Sequence, residues 1–169
     1  PVGGLNFNDN CVDVLVRPGA SIGADAEVTL IPNTPYIQLS NSCKTAEKGE
    51  PLIRRTLNDT VNVIVSRSIA KSSNPTSPIS LTVGDPGLFF ASTLRTVMAA
   101  KGIATDGELR RERVRLPDGS IPDDLDIIAR HEQTLPDLFL RSNRDSQNLF
   151  AEALLKAEER DGFVSAVRA

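Results

Sequence analysis

His131 is the sole histidine, cysteine occurs only at positions 11 and 43, and there is no Cys-x-x-Cys pair. Those shortages withhold the donor sets from which zinc sites are built, so the sequence calls for neither a metal nor a cofactor. No apolar run approaches the ~20 residues needed to cross a bilayer as a helix, which argues against a transmembrane segment. Basic residues are sparse and scattered, apart from Arg110, Arg111, Arg113 and Arg115, and that group is interleaved with Asp106, Glu108 and Glu112. With a net charge of −3 and a pI near 5.2, the chain lacks the uncompensated basic face of a nucleic-acid-binding protein. A solvated strand or hairpin accounts for the cluster. His131 could be combined with Asp126 or Asp137 as a serine-hydrolase base, but nothing in the spacing supports it.

What the sequence does have is a core. Forty per cent of its 169 residues are apolar, enough for one domain or parts of two. Val12, Val14 and Val16 alternate with Asp13 and Leu15, the period of a strand over 10–16 that ends at Arg17-Pro18-Gly19. Further strands are expected over 27–31, 36–39, 52–57, 60–69 and 79–83, with an exposed Ser/Asn/Pro/Thr loop at 71–78. Asp85-Pro86 opens a helix that Gly102 closes, and Phe90, Leu94, Val97 and Met98 form its expected buried stripe. A strand pair is expected to turn at Pro117-Asp118-Gly119, and a short strand at 127–131. Cys11 and Cys43 could pair, worth about 3 to 4 kcal/mol in the chain-entropy model, or could be two buried thiols.

Near the end, residues 135–156 spell helix, polar turn, helix. Leu135, Leu138 and Phe139 share one face before the turn; Leu149, Phe150, Ala153, Leu154 and Ala157 repeat the pattern after it. Ser146 stands at the start of the second helix, where its hydroxyl can cap free N–H groups or point with Asn148 into a cleft. The Ser-x-Asn core is unspecific by itself, since chance gives about 0.8 matches in a chain of this composition and Ser72-Ser73-Asn74 is another. The flanks are specific. Leu-Pro-x-Leu, Asn143-x-x-Ser146-x-Asn148-Leu149 and Ala151-Glu152-x-Leu154-Leu155-Lys156 together resemble the second active-site motif of the D-alanyl-D-alanine carboxypeptidases among the class C low-molecular-mass penicillin-binding proteins. Residues 4–14, Arg17-Pro18-Gly19, Pro35-Tyr36 and Asp85-Pro86 through Lys101-Gly102-Ile103 resemble segments of the same family.

The resemblance implies an α+β fold in which a β-rich insertion interrupts a penicillin-recognising core. Residues 1–111 would be insertion, including the long helix at about 85–102, and 112–169 the resumed core carrying Ser-x-Asn. It further implies a cell-wall hydrolase, periplasmic or extracytoplasmic, acting on peptidoglycan stem peptides that end in D-Ala-D-Ala and acylated by β-lactams. Ser146 would relay a proton and Asn148 would orient the substrate amide. Such enzymes use a Ser-x-x-Lys nucleophile motif at the start of a helix, where serine and lysine share a face. Ser68-Ile69-Ala70-Lys71 matches literally but ends a valine-rich strand, and about 0.4 such matches arise by chance. It is rejected. The nucleophile motif would then precede Pro1 and the Lys-Thr-Gly motif would follow Ala169, leaving this chain an inactive fragment. The competing expectation is a non-catalytic module that binds peptidoglycan or scaffolds a partner.

Overall fold

The computed structural model describes residues 6–57, 60–110, 116, 118, 120, 122–123, 132–144 and 148–161. The chain divides into two compact units, Gly3–Arg111 and Glu112–Ala169. Among the described residues the first contains seven strands and one long helix, and the second two helices.

Alternation of valines builds the first unit. On β1 (Cys11–Arg17), Val12, Val14 and Val16 are buried, as the period of two requires. β1 pairs antiparallel with β2 (Glu27–Ile31) on one side and with β7 (Ile79–Thr82) on the other, giving a three-stranded sheet. Ahead of β1, Asn8, Asp9 and Asn10 all take left-handed backbone angles, which Asn and Asp tolerate best. Buried Asn10 holds that turn by accepting the Phe7 N–H at 3.2 Å and donating to Asn6 Oδ1 at 2.8 Å.

The second sheet is organised on β6 (Val61–Ala70), whose Val61, Val63 and Val65 are fully buried. β5 (Pro51–Leu57) runs antiparallel along one edge of β6. The other edge is shared in parallel by β3 (Ile37–Asn41), opposite residues 61–65, and by β4 (Lys44–Ala46), opposite 68–70. Between those stretches Arg67 sits at φ +69, a non-glycine residue in the left-handed region, where the ladder changes partner. β4 was not anticipated: three residues are too few to show a period. What holds it is specific, since buried Thr45 accepts the Gly19 N–H at 2.8 Å and its own N–H donates to Ala24 O.

Helix α1 (Pro86–Ala100) begins as expected, with Asp85 Oδ1 accepting the Leu88 N–H at 3.1 Å and Pro86 in the first turn. It ends in paired reversed bonds, Ile103 N–H to Met98 O and Gly102 N–H to Ala99 O, which Gly102 permits at φ +77. Its buried face, however, is not the expected stripe. Phe89 is fully buried with Ser92 and Thr93, whereas Leu94 and Val97 are 46% and 51% exposed. The helix is oriented at its first turn, where the Asp85 N–H donates to the buried Tyr36 hydroxyl and Phe89 enters the core against Phe7 and Tyr36. Thr93 and Thr96 return their hydroxyls to Phe89 O and Ser92 O, so these two donors on or beside the buried face are satisfied within the helix.

Both cysteines are free thiols, Cys43 fully buried and Cys11 partly covered. Burial pushes both thiols up; for Cys11 the carboxylates of Asp13 and Asp9 add to it. A raised pKa leaves less thiolate at a given pH, so alkylation of the native protein at pH 8 is expected to be slow at Cys11 and absent at Cys43. Alkylation in denaturant without reductant should add two groups by intact mass. A mass with none would show a disulfide instead.

In the second unit, Leu116 N–H donates to Ser120 O, and Ser120 donates from both N–H and hydroxyl to Asp118 Oδ1. These bonds hold the Asp118 carboxyl below its usual range. The expected strand pair is not seen at Glu108–Arg110, which carry no strand, while 111–115 and the strand at 127–131 lie outside the described residues.

Candidate active site

The candidate site is the joint between α2 (Leu135–Arg144) and α3 (Asn148–Asp161). Thr134 opens α2: its hydroxyl accepts the Asp137 N–H at 3.3 Å and donates to the Asp137 carboxylate at 2.6 Å, a reciprocal cap with the acid placed where the helix N-terminus favours it. α2 packs against α3, and three residues join them. Leu154 is buried, with Leu138, Ser142, Leu149, Phe150 and Ala153 partly covered.

The apolar face expected on α2 is thus covered only at Leu138. Leu135 is 59% exposed and Phe139 48%, and Leu140 and Leu155 are also exposed. Two helices packed on each other bury the one seam between them.

Of the two candidate residues, Asn148 is the first residue of α3 and is exposed, so its carboxamide is open to an incoming amide group. Ser146 lies outside the described residues, as do Gln147, His131 and Asp126. Asn143 is exposed in the last turn of α2. No group of three or more potential metal-ligating His, Cys, Asp or Glu side chains occurs among the described residues.

The rejected Ser-x-x-Lys match behaves as a strand end. Ser68, Ile69 and Ala70 close β6, where residues three apart point to opposite faces. Ser68 Oγ lies 3.5 Å from Lys48 O, while Lys71 Nζ donates to Gly19 O at 2.8 Å and Ala20 O at 2.9 Å. That lysine ties a loop to the sheet and cannot activate Ser68.

Residues 1–166 match the family model described as the D-Ala-D-Ala carboxypeptidase 3 (S13) family. Among solved structures, the chain is similar to penicillin binding protein 4 (dacB) from Haemophilus influenzae complexed with a novel beta-lactam, at TM-score 0.61 and 19% identity, covering 90% of this chain and 34% of that one. A second structure of that protein gives TM-score 0.60 and 20% identity, covering 90% and 32%. At such identity the likeness concerns the fold, which is α+β. The chain spans about a third of the length of the structures it matches. No curated protein matches it.

Proposed function

Because the chain belongs to the D-Ala-D-Ala carboxypeptidase 3 (S13) family, we propose that it is a segment of a serine-type D-alanyl-D-alanine carboxypeptidase that also binds penicillin. The observation that carries this reading is the family match, which runs through both units and includes the α2–α3 joint. The first unit, with its seven strands and α1, is then the β-rich insertion, and 112–169 is part of the catalytic core. The apolar residues left exposed on α2 and α3 support this division, since a larger core would cover them.

In this reading the nucleophilic serine and its lysine lie outside residues 1–169. The serine Oγ attacks the carbonyl carbon of the penultimate D-Ala, the C–N bond to the terminal D-Ala breaks, and water later releases the acyl group. Ser146 passes a proton to the departing amine, which would otherwise leave as an unstable anion. Asn148, exposed at the head of α3, donates to or accepts from the substrate amide and fixes its orientation. The substrate, a peptidoglycan stem peptide, places the protein outside the cytoplasm. Endopeptidase action on cross-links would use the same acyl-enzyme chemistry.

Mapping the adduct tests this. The complete protein is expected to take up one equivalent of labelled penicillin on a serine outside residues 1–169, and the isolated chain none. A β-lactam ester on Ser68 or Ser146 would sink the assignment.

A further inference from the structure

We propose that the Asp106-Gly107 peptide is a self-modification site, at which the Asp106 side chain closes on the following backbone nitrogen and the chain reopens as isoaspartate. The sequence contains three Asp-Gly pairs, at 106–107, 118–119 and 161–162, and as dipeptides they are equivalent. The structure separates them. Asp106 and Asp118 are both exposed, so access to solvent is not what distinguishes those two.

What differs is the freedom of the reacting atoms. Asp106 and Gly107 lie in residues 103–110, which are exposed throughout and belong to no helix or strand. The segment is tied at Ile103, whose N–H returns to Met98 O, and at Gly107 O, which accepts from Arg95 Nη2 at 2.7 Å. Between those anchors, among the described residues, no hydrogen bond holds the Asp106 carboxyl or the Gly107 N–H. Gly107 stands at φ +85 with nothing within 4 Å of where a Cβ would lie, so no bulk obstructs ring closure on its side. Asp118 is held instead. Its Oδ1 accepts the Ser120 N–H at 2.9 Å and the Ser120 hydroxyl at 2.7 Å, a turn that directs the carboxyl past the intervening nitrogen and favours its ionised form. The ionised form does not react, because ring closure expels water from the neutral acid. Asp161 is the last residue of α3, where a helical backbone turns the next nitrogen away from the side chain.

The chemistry needs no cofactor. Gly107 N bonds to Asp106 Cγ and gives up its proton, the Cγ–OH bond breaks, and the two fragments leave as water, giving a five-membered imide. Water then adds to either imide carbonyl. Attack at Cγ restores aspartate; attack at the main-chain carbon breaks its bond to Gly107 N and leaves the chain running through Cβ and Cγ. The product has one extra methylene in the backbone just ahead of the boundary between the two units, and a freed main-chain carboxylate beside it. Neither Ser146 nor Asn148 takes part, so the inference stands or falls apart from the acyl-transfer reading.

The test is incubation of the native 169-residue chain at neutral pH in water enriched in oxygen-18, then exchange into ordinary water, tryptic digestion and mass spectrometry. Each passage through the imide leaves one heavy oxygen. Peptide 102–110 is expected to gain label at least about tenfold faster than peptide 116–130, the scale on which local restraint separates sites in a folded chain. Its labelled form should split into two chromatographic species, aspartate and isoaspartate. In guanidinium chloride most of the difference between the peptides should vanish. Asp106→Glu, which would need a six-membered ring, should abolish the label in 102–110. Native labelling that is as fast or faster at Asp118 or Asp161, or absent from Asp106, overturns the proposal. So does a preference for Asp106 that survives denaturation, which would belong to the flanking residues and not to the fold.

Discussion

Ser146→Ala in the complete protein is expected to slow both penicillin acylation and carboxypeptidase turnover by roughly 10²-fold or more, the scale of a lost proton-transfer group. The loss should fall on kcat and kcat/KM alike, because the hydroxyl acts as the C–N bond breaks and adds little to ground-state binding. The competing role for Ser146 is a helix cap on α3, and a second variant separates the two. Asparagine is as good a cap as serine but cannot relay a proton, so Ser146→Asn should keep the melting temperature and still be slow. A pure capping residue gives the opposite pattern: Ser146→Ala would lower stability by about 1 kcal/mol and leave acylation untouched. Stopped-flow acylation by a chromogenic β-lactam, read beside thermal melts of both variants, decides between them. Unchanged acylation in both removes Ser146 from the mechanism.

The candidate site was legible only in outline. The apolar period of 135–156 gave two helices around a polar joint, and both exist, but nothing in that period distinguishes a catalytic turn from an ordinary one. The meaning of Ser146 and Asn148 came from their flanks, through resemblance. The strands were more legible, because burying one face forces alternation: β1, β2 and β6 fall within a residue or two of expectation. Where burial is not apolar, pattern reading failed. The inward face of α1 is carried by one phenylalanine and two hydroxyl residues, Ser92 and Thr93, the latter with its donor satisfied by Phe89 O within the helix, while the larger apolar residues Leu94 and Val97 point outward. β4 is fixed by Thr45 and its long-range bonds, which leave no local period to find.

The orientation of α1 leads to the second large effect. Phe89→Ala is expected to destabilise the first unit by about 3–5 kcal/mol, the cost of emptying a fully enclosed aromatic site. Phe89 is 0% exposed, and its ring lies 5.8 Å from Phe7 and 5.9 Å from Tyr36, so the vacated volume is walled on two sides by rings already anchored elsewhere. Tyr36 is fixed through its hydroxyl to the Asp85 N–H and cannot follow the missing ring without breaking that bond at the head of α1. Collapse therefore recovers little. Against a typical total of about 5–15 kcal/mol, the loss takes a large share of the stability of the unit. Leu94→Ala on the outward face should cost within about 0.5 kcal/mol, as surface substitutions do. The readout is local, because Tyr36 is the sole tyrosine and tryptophan is absent, so tyrosine emission during urea unfolding follows this core and not α2 or α3. A Leu94→Ala variant more damaged than Phe89→Ala would return the buried face of α1 to the stripe of Leu94 and Val97.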